Sequence, residues 1–462
     1  YKEKYLLEVN GRYDGTSRFM KDQRWNFFPS FSLGWNVARE NFWKPLESVV
    51  NQFKLRGSWG ELGNQNTSNL YPFYEILPVK SNSGNWLVNG GKTNTADIPS
   101  LVSTLLTWER VRSFNVGFDF GAFSNRLTGS FDYFVRKTVD MVGPAPQLPL
   151  VLGIAPAIVN NADMKSYGFE IELSWRDRIG EVDYGVKFNL ADAQQKVVKY
   201  PNTTNAFSDW YAGKMSGEIW GYTSLGIAKT DEEMKEHLAS LPNGGQNQLG
   251  NKWGAGDIMY ADINGDGKVD GGKGTLADPG DQRIIGNSTP RYNFGLVLDA
   301  SYKGFDVSIF FQGVGKRDYA PIVGTNGAVF WGAVNNIWQS MAMEEHFDYF
   351  RPEGHPMGAN LNGYYPRPDF TSNKNHQVQT RYLQDASYIR LKNLQIGYTL
   401  PKQWINKLHI NRCRVYVSGD NLWTGTSLAS MFDPETLAAG DWGSGKTYPL
   451  SKVISFGLNV NF

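Results

Sequence analysis

The sequence predicts an all-β chain folded as a transmembrane antiparallel β-barrel, and three observations predict it. Apolar residues recur at every second position in a dozen segments, the connections between segments sort by length, and the last segment alternates up to a terminal aromatic residue. No stretch reaches the roughly 20 apolar residues that a membrane helix needs. A barrel strand shows only alternate side chains to lipid, so a chain with 41% hydrophobic residues can still cross a bilayer. Aromatic residues reach 14% and glycines number 50, as interfacial girdles and Gly-rich strands would require.

Twelve long strands are predicted, near residues 4–18, 25–40, 52–63, 109–120, 126–142, 165–179, 182–197, 290–303, 305–319, 385–400, 412–424 and 452–462. The alternation is plainest in the middle of the chain. Phe114, Val116, Phe118 and Phe120 share one face, with Asn115, Gly117 and Asp119 on the other. Leu127, Gly129, Phe131, Tyr133 and Val135 alternate with Thr128, Ser130, Asp132 and Arg136. Phe169, Ile171, Leu173 and Trp175 oppose Glu170, Glu172, Ser174 and Arg176; Tyr184, Val186, Phe188 and Leu190 oppose Gly185, Lys187 and Asn189. Such runs have one apolar and one hydrated face. A soluble sandwich carries the same alternation, so the connections must decide.

The second, fourth, sixth, eighth and tenth connections are short, about eleven, five, two, one and eleven residues. The third, fifth, seventh, ninth and eleventh run to about forty-five, twenty-two, ninety-two, sixty-five and twenty-seven. The first, about six residues, is the exception. A membrane barrel imposes this sorting, with tight periplasmic turns and long extracellular loops, whereas a sandwich has no reason to sort loops by parity. In the last strand Ile454, Phe456, Leu458, Val460 and Phe462 alternate with Ser455, Gly457, Asn459 and Asn461. That ending resembles the C-terminal signature of outer-membrane proteins, and it puts the C-terminus at the periplasmic rim. Every long connection then falls outside the cell, in agreement with the length sorting.

Composition excludes some functions. A formal charge of +1 gives no electrostatic case for binding nucleic acid. Cys413 is the single cysteine, so an internal disulfide and a cysteine-built zinc site are both ruled out. The chain opens inside a strand-like segment, KEKYLLEVNGRYDG, with no signal peptide, and is expected to be the C-terminal portion of a longer barrel.

Several strings are similar to the SusC/RagA family of TonB-dependent transporters. They are DIMYADINGDGKVD (Asp257 to Asp270), DQRIIGNSTPRYNFG (Asp281 to Gly295), SYKGFDVSIFFQG (Ser301 to Gly313), DASYIRLKNLQIGYTLP (Asp385 to Pro401), RVYVSGDNLWT (Arg414 to Thr424) and FDPE (Phe432 to Glu435). Their order and spacing match that family's C-terminal half across nearly the whole chain. The resemblance implies a 22-stranded barrel of the plugged outer-membrane type. The twelve strands here would leave about ten upstream, with the plug domain and TonB box. It further implies a Gram-negative outer-membrane location and active import of oligosaccharides or oligopeptides. The implied partners are a SusD-like surface lipoprotein, which closes over the mouth, and TonB, which pulls on the plug. No bond would be made or broken, so the expected activity is transport and not catalysis. Two other readings stay open: a passive outer-membrane porin or structural barrel, and a secreted carbohydrate-binding β protein.

One motif points to a metal. Asp262, Asn264 and Asp266, with Gly267 next, copy the opening of an EF-hand loop; Lys268 would offer its carbonyl at position seven, and Asp270 stands at position nine. Oxygen ligands at alternate residues wrap a hard cation because a tight turn points them inward together. Position twelve holds Lys273, which cannot ligate. The resemblance implies an acid just before the arginine preceding the IIG string. Here the insertion GGKGTLADPG separates that acid, Asp281, from Asp270, and Asp281 is the expected closing ligand of a structural calcium ion. The alternative is an Asx-rich turn without metal.

Other motifs mislead. GDWGSGKT (Gly440 to Thr447) fits the phosphate-loop pattern by letter, but no buried strand precedes it and no helix follows, so it is read as accidental. His237, His346, His355, His376 and His409 show no zinc-ligand spacing; all but His409 fall in predicted external loops, where a solvated surface role is expected. Glu170 and Glu172 would face the lumen opposite Lys187 and Arg176 as a structural charge ladder. Trp210, Tyr211, Trp253, Trp331, Trp338, Tyr364 and Tyr365 in the loops could grip substrate, although most should pack the loops or meet a partner. Trp25, Trp35, Trp175 and Trp423, near strand ends, suit the interfacial girdle.

Overall fold

The computed structural model describes all 462 residues except 68–69, 100, 144, 146–148, 150, 152, 155, 322–327, 333–342, 370–373, 407–408 and 438–446. Twelve long strands form one sheet in which each strand lies beside its neighbour in sequence. They are β1 (Tyr5–Gly15), β2 (Trp25–Asn36), β3 (Val50–Asn64), β4 (Glu109–Ala122), β5 (Leu127–Gly143) and β6 (Val159–Ile179). Then follow β7 (Val182–Lys199), β8 (Arg291–Tyr302), β9 (Phe305–Lys316), β10 (Tyr388–Thr399), β11 (Arg412–Thr426) and β12 (Val453–Asn461). The chain divides into two compact units. The first holds β1 to β5 and the start of β6, and the second the rest of β6, most of β7 and the chain from Ser216 onward.

All twelve predicted strands are present, and the length sorting holds. The turns Phe123–Arg126, Gly180–Glu181 and Lys303–Gly304 are tight, while Tyr200–Pro290 and Arg317–Ser387 are long loops. The short first connection, Thr16–Arg24, remains the exception. The largest extension beyond the predicted bounds is in β6, which begins at Val159 and not near 165. Its added residues, Val159 to Met164, do not keep a clean apolar alternation, but the side chains of Asn160 and Asp163 bond to neighbours. Asn160 Nδ2 donates to the carbonyls of Thr107 (3.1 Å) and Asp140 (2.6 Å), and Asp163 accepts the Asp140 N–H at 2.9 Å. That grip holds Asp140 in the left-handed region (φ 56°) inside β5, a local distortion no propensity rule anticipates.

Register fixes which side chains share a face. In the first unit Tyr5, Leu7, Val9 and Tyr13 of β1 pair with Trp35, Leu33, Phe31 and Phe27 of β2. All eight are exposed. The aromatics gather at the two ends, with Tyr13 stacked on Trp25 at 5.3 Å and Tyr5 on Trp35 at 6.5 Å. From Trp25 to Trp35 is about 33 Å of strand. At a tilt near 40° that spans roughly 25 Å, the height of a barrel's apolar band. In the second unit, Phe456 and Leu458 of β12 pair with Val417 and Val415 of β11, and Phe456 is 84% exposed. Among the described residues no helix is long and apolar enough to cross a membrane.

Candidate transport wall and loop assembly

The face opposite the apolar one is charged and hydrated. In the first unit Arg56 of β3 holds two carboxylates at once. Its Nη2 lies 2.9 Å from Asp119 Oδ1 on β4 and 2.7 Å from Asp132 Oδ2 on β5. A hollow of about 640 Å³ beside it is lined by Glu8, Ser32, Lys54, Ser58 and Asn115 and also by Leu6, Leu7 and Leu33. In the second unit Arg414 of β11 donates to Asp306 of β9 (2.9 Å) and to Gln395 of β10 (3.0 Å). A groove of about 670 Å³ there is lined by Arg176, Arg178, Asp183, Asp299, Asp306 and Ser308. Such a surface keeps water and suits polar solutes. The expected pairing of Glu170 and Glu172 with Lys187 and Arg176 does not occur among the described residues; the ladder is built by Arg56 and Arg414 instead.

The long loops of the second unit fold on a core of their own. Phe330, Trp331, Tyr365, Tyr382 and Phe432 are buried together with Tyr222, Ile258 and Tyr260. Trp331 meets Tyr382 edge-on at 4.8 Å, and Phe330 lies parallel to Phe432 at 6.2 Å. Burial pushes the Tyr222 phenol up to about 12 and Tyr260 well above its ordinary value. Under these rings Asp257, fully buried, accepts five hydrogen bonds: Arg367 Nε (2.7 Å) and Nη2 (2.6 Å), Lys374 Nζ (2.9 Å), Asn375 Nδ2 (2.9 Å) and the Gly254 N–H (2.9 Å). Lys374 is itself 1% exposed, so this carboxylate and ammonium depend on each other.

A second set of charges fastens the loops to the wall. Arg390 of β10 donates to Asp433 at 2.8 Å, its Nη1 lies 3.1 Å from Glu435, and Lys392 donates to Glu435 at 2.9 Å. Arg317, just past β9, donates to the carbonyls of Pro434 (3.3 Å) and Leu437 (2.8 Å). Burial pushes the Asp433 carboxyl up, but Arg390 and two backbone amides outweigh it and hold the group below its usual range. The FDPE string thus has a physical role: Phe432 enters the loop core while Asp433 and Glu435 clamp the strand.

The EF-hand-like segment forms one turn cluster in the second unit. Asp262 accepts the N–H groups of Gly265 (2.7 Å) and Gly267 (2.8 Å), Asn264 that of Asp266 (3.0 Å), and Asp266 that of Lys268 (3.2 Å). Gly265 and Gly267 take φ of +76° and +80°, which only glycine adopts freely. Asp281 lies against the same turn, its two oxygens accepting from the N–H groups of Ile263 (2.7 Å) and Asp270 (2.8 Å). Lys268 acts through its ammonium, 2.5 Å from Asp270. Burial raises the Asp281 carboxyl, whereas Lys268 lowers Asp270. The donors are all oxygens, which suits calcium. Yet each is turned onto an N–H, and among the described residues no three acidic, His or Cys groups converge as a metal site.

Comparison with known proteins decides what wall this is. Residues 1–422 match the family described as TonB dependent receptor-like, beta-barrel. The chain belongs to that family. Among curated relatives, TonB-dependent receptor P3 of Formosa agariphila is 30% identical over 492 residues, covering all of this chain and 44% of the relative. TonB-dependent receptor SusC of Bacteroides thetaiotaomicron is 24% identical, covering 99% of this chain and 42% of SusC. A solved structure of the RagAB peptide transporter superposes with a TM-score of 0.73 at 22% identity, covering 100% of this chain and 46% of that one. The chain therefore spans under half the length of these relatives, and it is part of an outer-membrane receptor barrel.

Within that receptor barrel, two histidine expectations need correction. His376 is fully buried and His346 is 4% exposed. His376 packs edge-on against Trp331 at 4.5 Å, and the His346 ring contacts the carbonyls of Val329 (3.1 Å) and Phe330 (3.2 Å). An external loop large enough to own a core buries polar rings as any soluble domain does. Trp331 and Tyr365 are core residues, Trp253 and Tyr364 pack against it, and Trp210 is exposed with Lys214 over its ring. Trp338 and residues 440–446 of the phosphate-loop-like string lie outside the described residues. Of the girdle candidates, Trp25, Trp35 and Trp423 are exposed, and Trp175 donates to the Tyr184 hydroxyl at 3.2 Å. Nothing in the sequence alone marked Asp257, Lys374 or Asp433 as anchors, since the ion pairs Asp257–Lys374 and Asp433–Arg390 join residues more than 40 positions apart.

Proposed function

We propose that this chain supplies barrel wall and extracellular loops to a SusC-like, TonB-dependent importer of oligosaccharides or oligopeptides. A SusD-like lipoprotein serves as its extracellular lid. The observation that carries the reading is the pairing of a hydrated, charged inner face with an aromatic-cored loop assembly clamped to the wall through Arg390 and Lys392. Polar oligomers pass such a wall without being held by apolar surface, and the clamped loops offer a lid a rigid platform. The named relatives, SusC and the RagAB peptide transporter, support the same assignment. The chain performs no covalent chemistry in this reading. The full-length receptor, purified from native membranes in mild detergent, should bring down a surface lipoprotein and a bound glycan or peptide. Recovery of the receptor alone, with solute uptake unchanged when it is deleted, would count for a passive or structural barrel.

For the loop Asp262–Asp281 we propose a structural calcium ion, with Asp262, Asn264, Asp266, Asp270, Asp281 and the Lys268 carbonyl as ligands. Calcium would compete with the Lys268 ammonium for Asp270 and relieve the buried charge on Asp281. Elemental analysis of the native receptor should find calcium that Asp262→Asn together with Asp270→Asn removes. Equal, negligible calcium in both proteins would eliminate the site.

A further inference from the structure

The connection between β2 and β3, Val37–Val49, belongs to the short periplasmic set, and it folds toward lipid. It contains two short 3-10 segments, Val37–Arg39 and Asn41–Leu46. Rings of the second pack onto the apolar face of the flanking strands. Phe42 meets Trp35 edge-on at 6.4 Å; Trp43 stacks on Phe53 at 5.2 Å and donates its Nε1 to the Val50 carbonyl at 2.9 Å. Trp35 and Phe53 both belong to the outward face, paired with Tyr5 and Phe120 respectively. These contacts leave apolar side chains uncovered, Phe42 at 62% exposed, Leu46 at 51% and Val49 at 47%, with Asn41, Glu47 and Ser48 exposed beside them. The exposed Lys44 lies among them.

Glu40 marks where water begins. Its carboxylate accepts from Lys4 Nζ (2.9 Å), the Tyr5 hydroxyl (2.7 Å) and Trp35 Nε1 (3.2 Å). Lys4 foremost, then Tyr5 and Trp35, hold its carboxyl down at about 2, so it is ionised at any physiological pH. An ionised carboxylate stays out of hydrocarbon, and Tyr and Trp turn their polar ends toward it while their rings face lipid. The uncovered residues of the turn therefore continue the lipid-facing surface at the level of this boundary. They do not hang below it in the periplasm.

We propose that Val37–Val49 is an interfacial foot. Phe42, Leu46 and Val49 sit at the headgroup–acyl boundary of the periplasmic leaflet, and Lys44 meets lipid phosphate. The occupant is phospholipid, because the apolar patch is continuous with the surface the barrel already presents to the membrane. The foot fixes how deep this side of the wall rides in the bilayer.

The test uses the full-length receptor in phospholipid vesicles, with other reactive cysteines replaced and single spin labels placed by Phe42→Cys, Leu46→Cys or Glu47→Cys. All three positions are exposed, so the labels leave the fold intact, which heat-modifiable gel mobility checks. Labels at 42 and 46 should collide with dissolved oxygen several-fold more than with a water-soluble nickel chelate. The label at 47 should show the reverse. Free access of the chelate to position 42 would overturn the proposal, and so would shelter from both reagents, which would mean that protein covers the turn.

Discussion

Trp35 and Trp331 put the same side chain to opposite uses. Trp35 is 36% exposed on the outer face of β2, whereas Trp331 is 1% exposed inside the loop assembly. The difference is one of solvent. Where lipid surrounds the wall, apolar rings point outward and the charges turn inward. Where water surrounds the loops, rings must find one another, and the loops build a core as a soluble domain would. Two packing logics thus share one chain, and they should fail in different ways.

The largest effect should come from the buried charges under the loop core. Asp257→Ala removes the partner of Lys374 and both of the bonds that Arg367 makes to it, and breaking such a buried pair costs about 3–5 kcal/mol. Protease cleavage between residues 317 and 387 should rise sharply while the barrel stays heat-modifiable on gels. Loss of both together would mean that loops and wall are one cooperative unit. Size comes next. Trp331→Ala should cost the loops about 3–5 kcal/mol because a cavity remains. At Phe456 lipid fills any gap, so Phe456→Leu should stay under about 1 kcal/mol in vesicle unfolding titrations. Similar losses at the two positions would erase the contrast.

The clamp should rank third. Asp433→Asn keeps the shape but weakens a charge-assisted bond to Arg390, worth about 1.5–3 kcal/mol. Hydrogen exchange should quicken around 428–437 and leave the Asp257 network unchanged. The smallest effect concerns acid. Burial lowers the pKa of His237, in the last turn of helix α1 (Asp231–Ala239), below its ordinary 6.5, with the Gln246 contact opposing. The unfolded loop then binds more protons below 6.5 than the folded one. The stability this ring contributes is present above 6.5 and fades as pH falls toward its depressed value. His237→Gln should flatten that dependence in exchange rates near Gln246.

The wall was legible because its signal is local. Alternation repeats every two residues, connection lengths can be read along the chain, and both survive without knowledge of partners. What escaped reading was non-local or came from local distortion. Asp140 and Asn421 take left-handed backbone inside strands (φ 56° and 53°); the Asp163 side chain accepts from the first, and the second donates its own amide to the Ser451 carbonyl. The burial of His346 and His376 follows from loop folding that no periodicity announces. The turn formed by Asp262, Asn264 and Asp266 was legible from spacing, because there the sequence itself brings the groups together; the pairing of the Lys268 ammonium with Asp270 was not.

Strand β9 offers the most direct test of the two-faced wall. Single cysteines from 305 to 312 in the full-length receptor, in membranes, would be challenged with a membrane-impermeant maleimide and, separately, with a lipid-soluble photolabel. Positions 306, 308, 310 and 312 should react with the maleimide, and 305, 307, 309 and 311 with the photolabel, in strict alternation. Reaction of all eight with one reagent alone, or the reverse parity, would contradict the account.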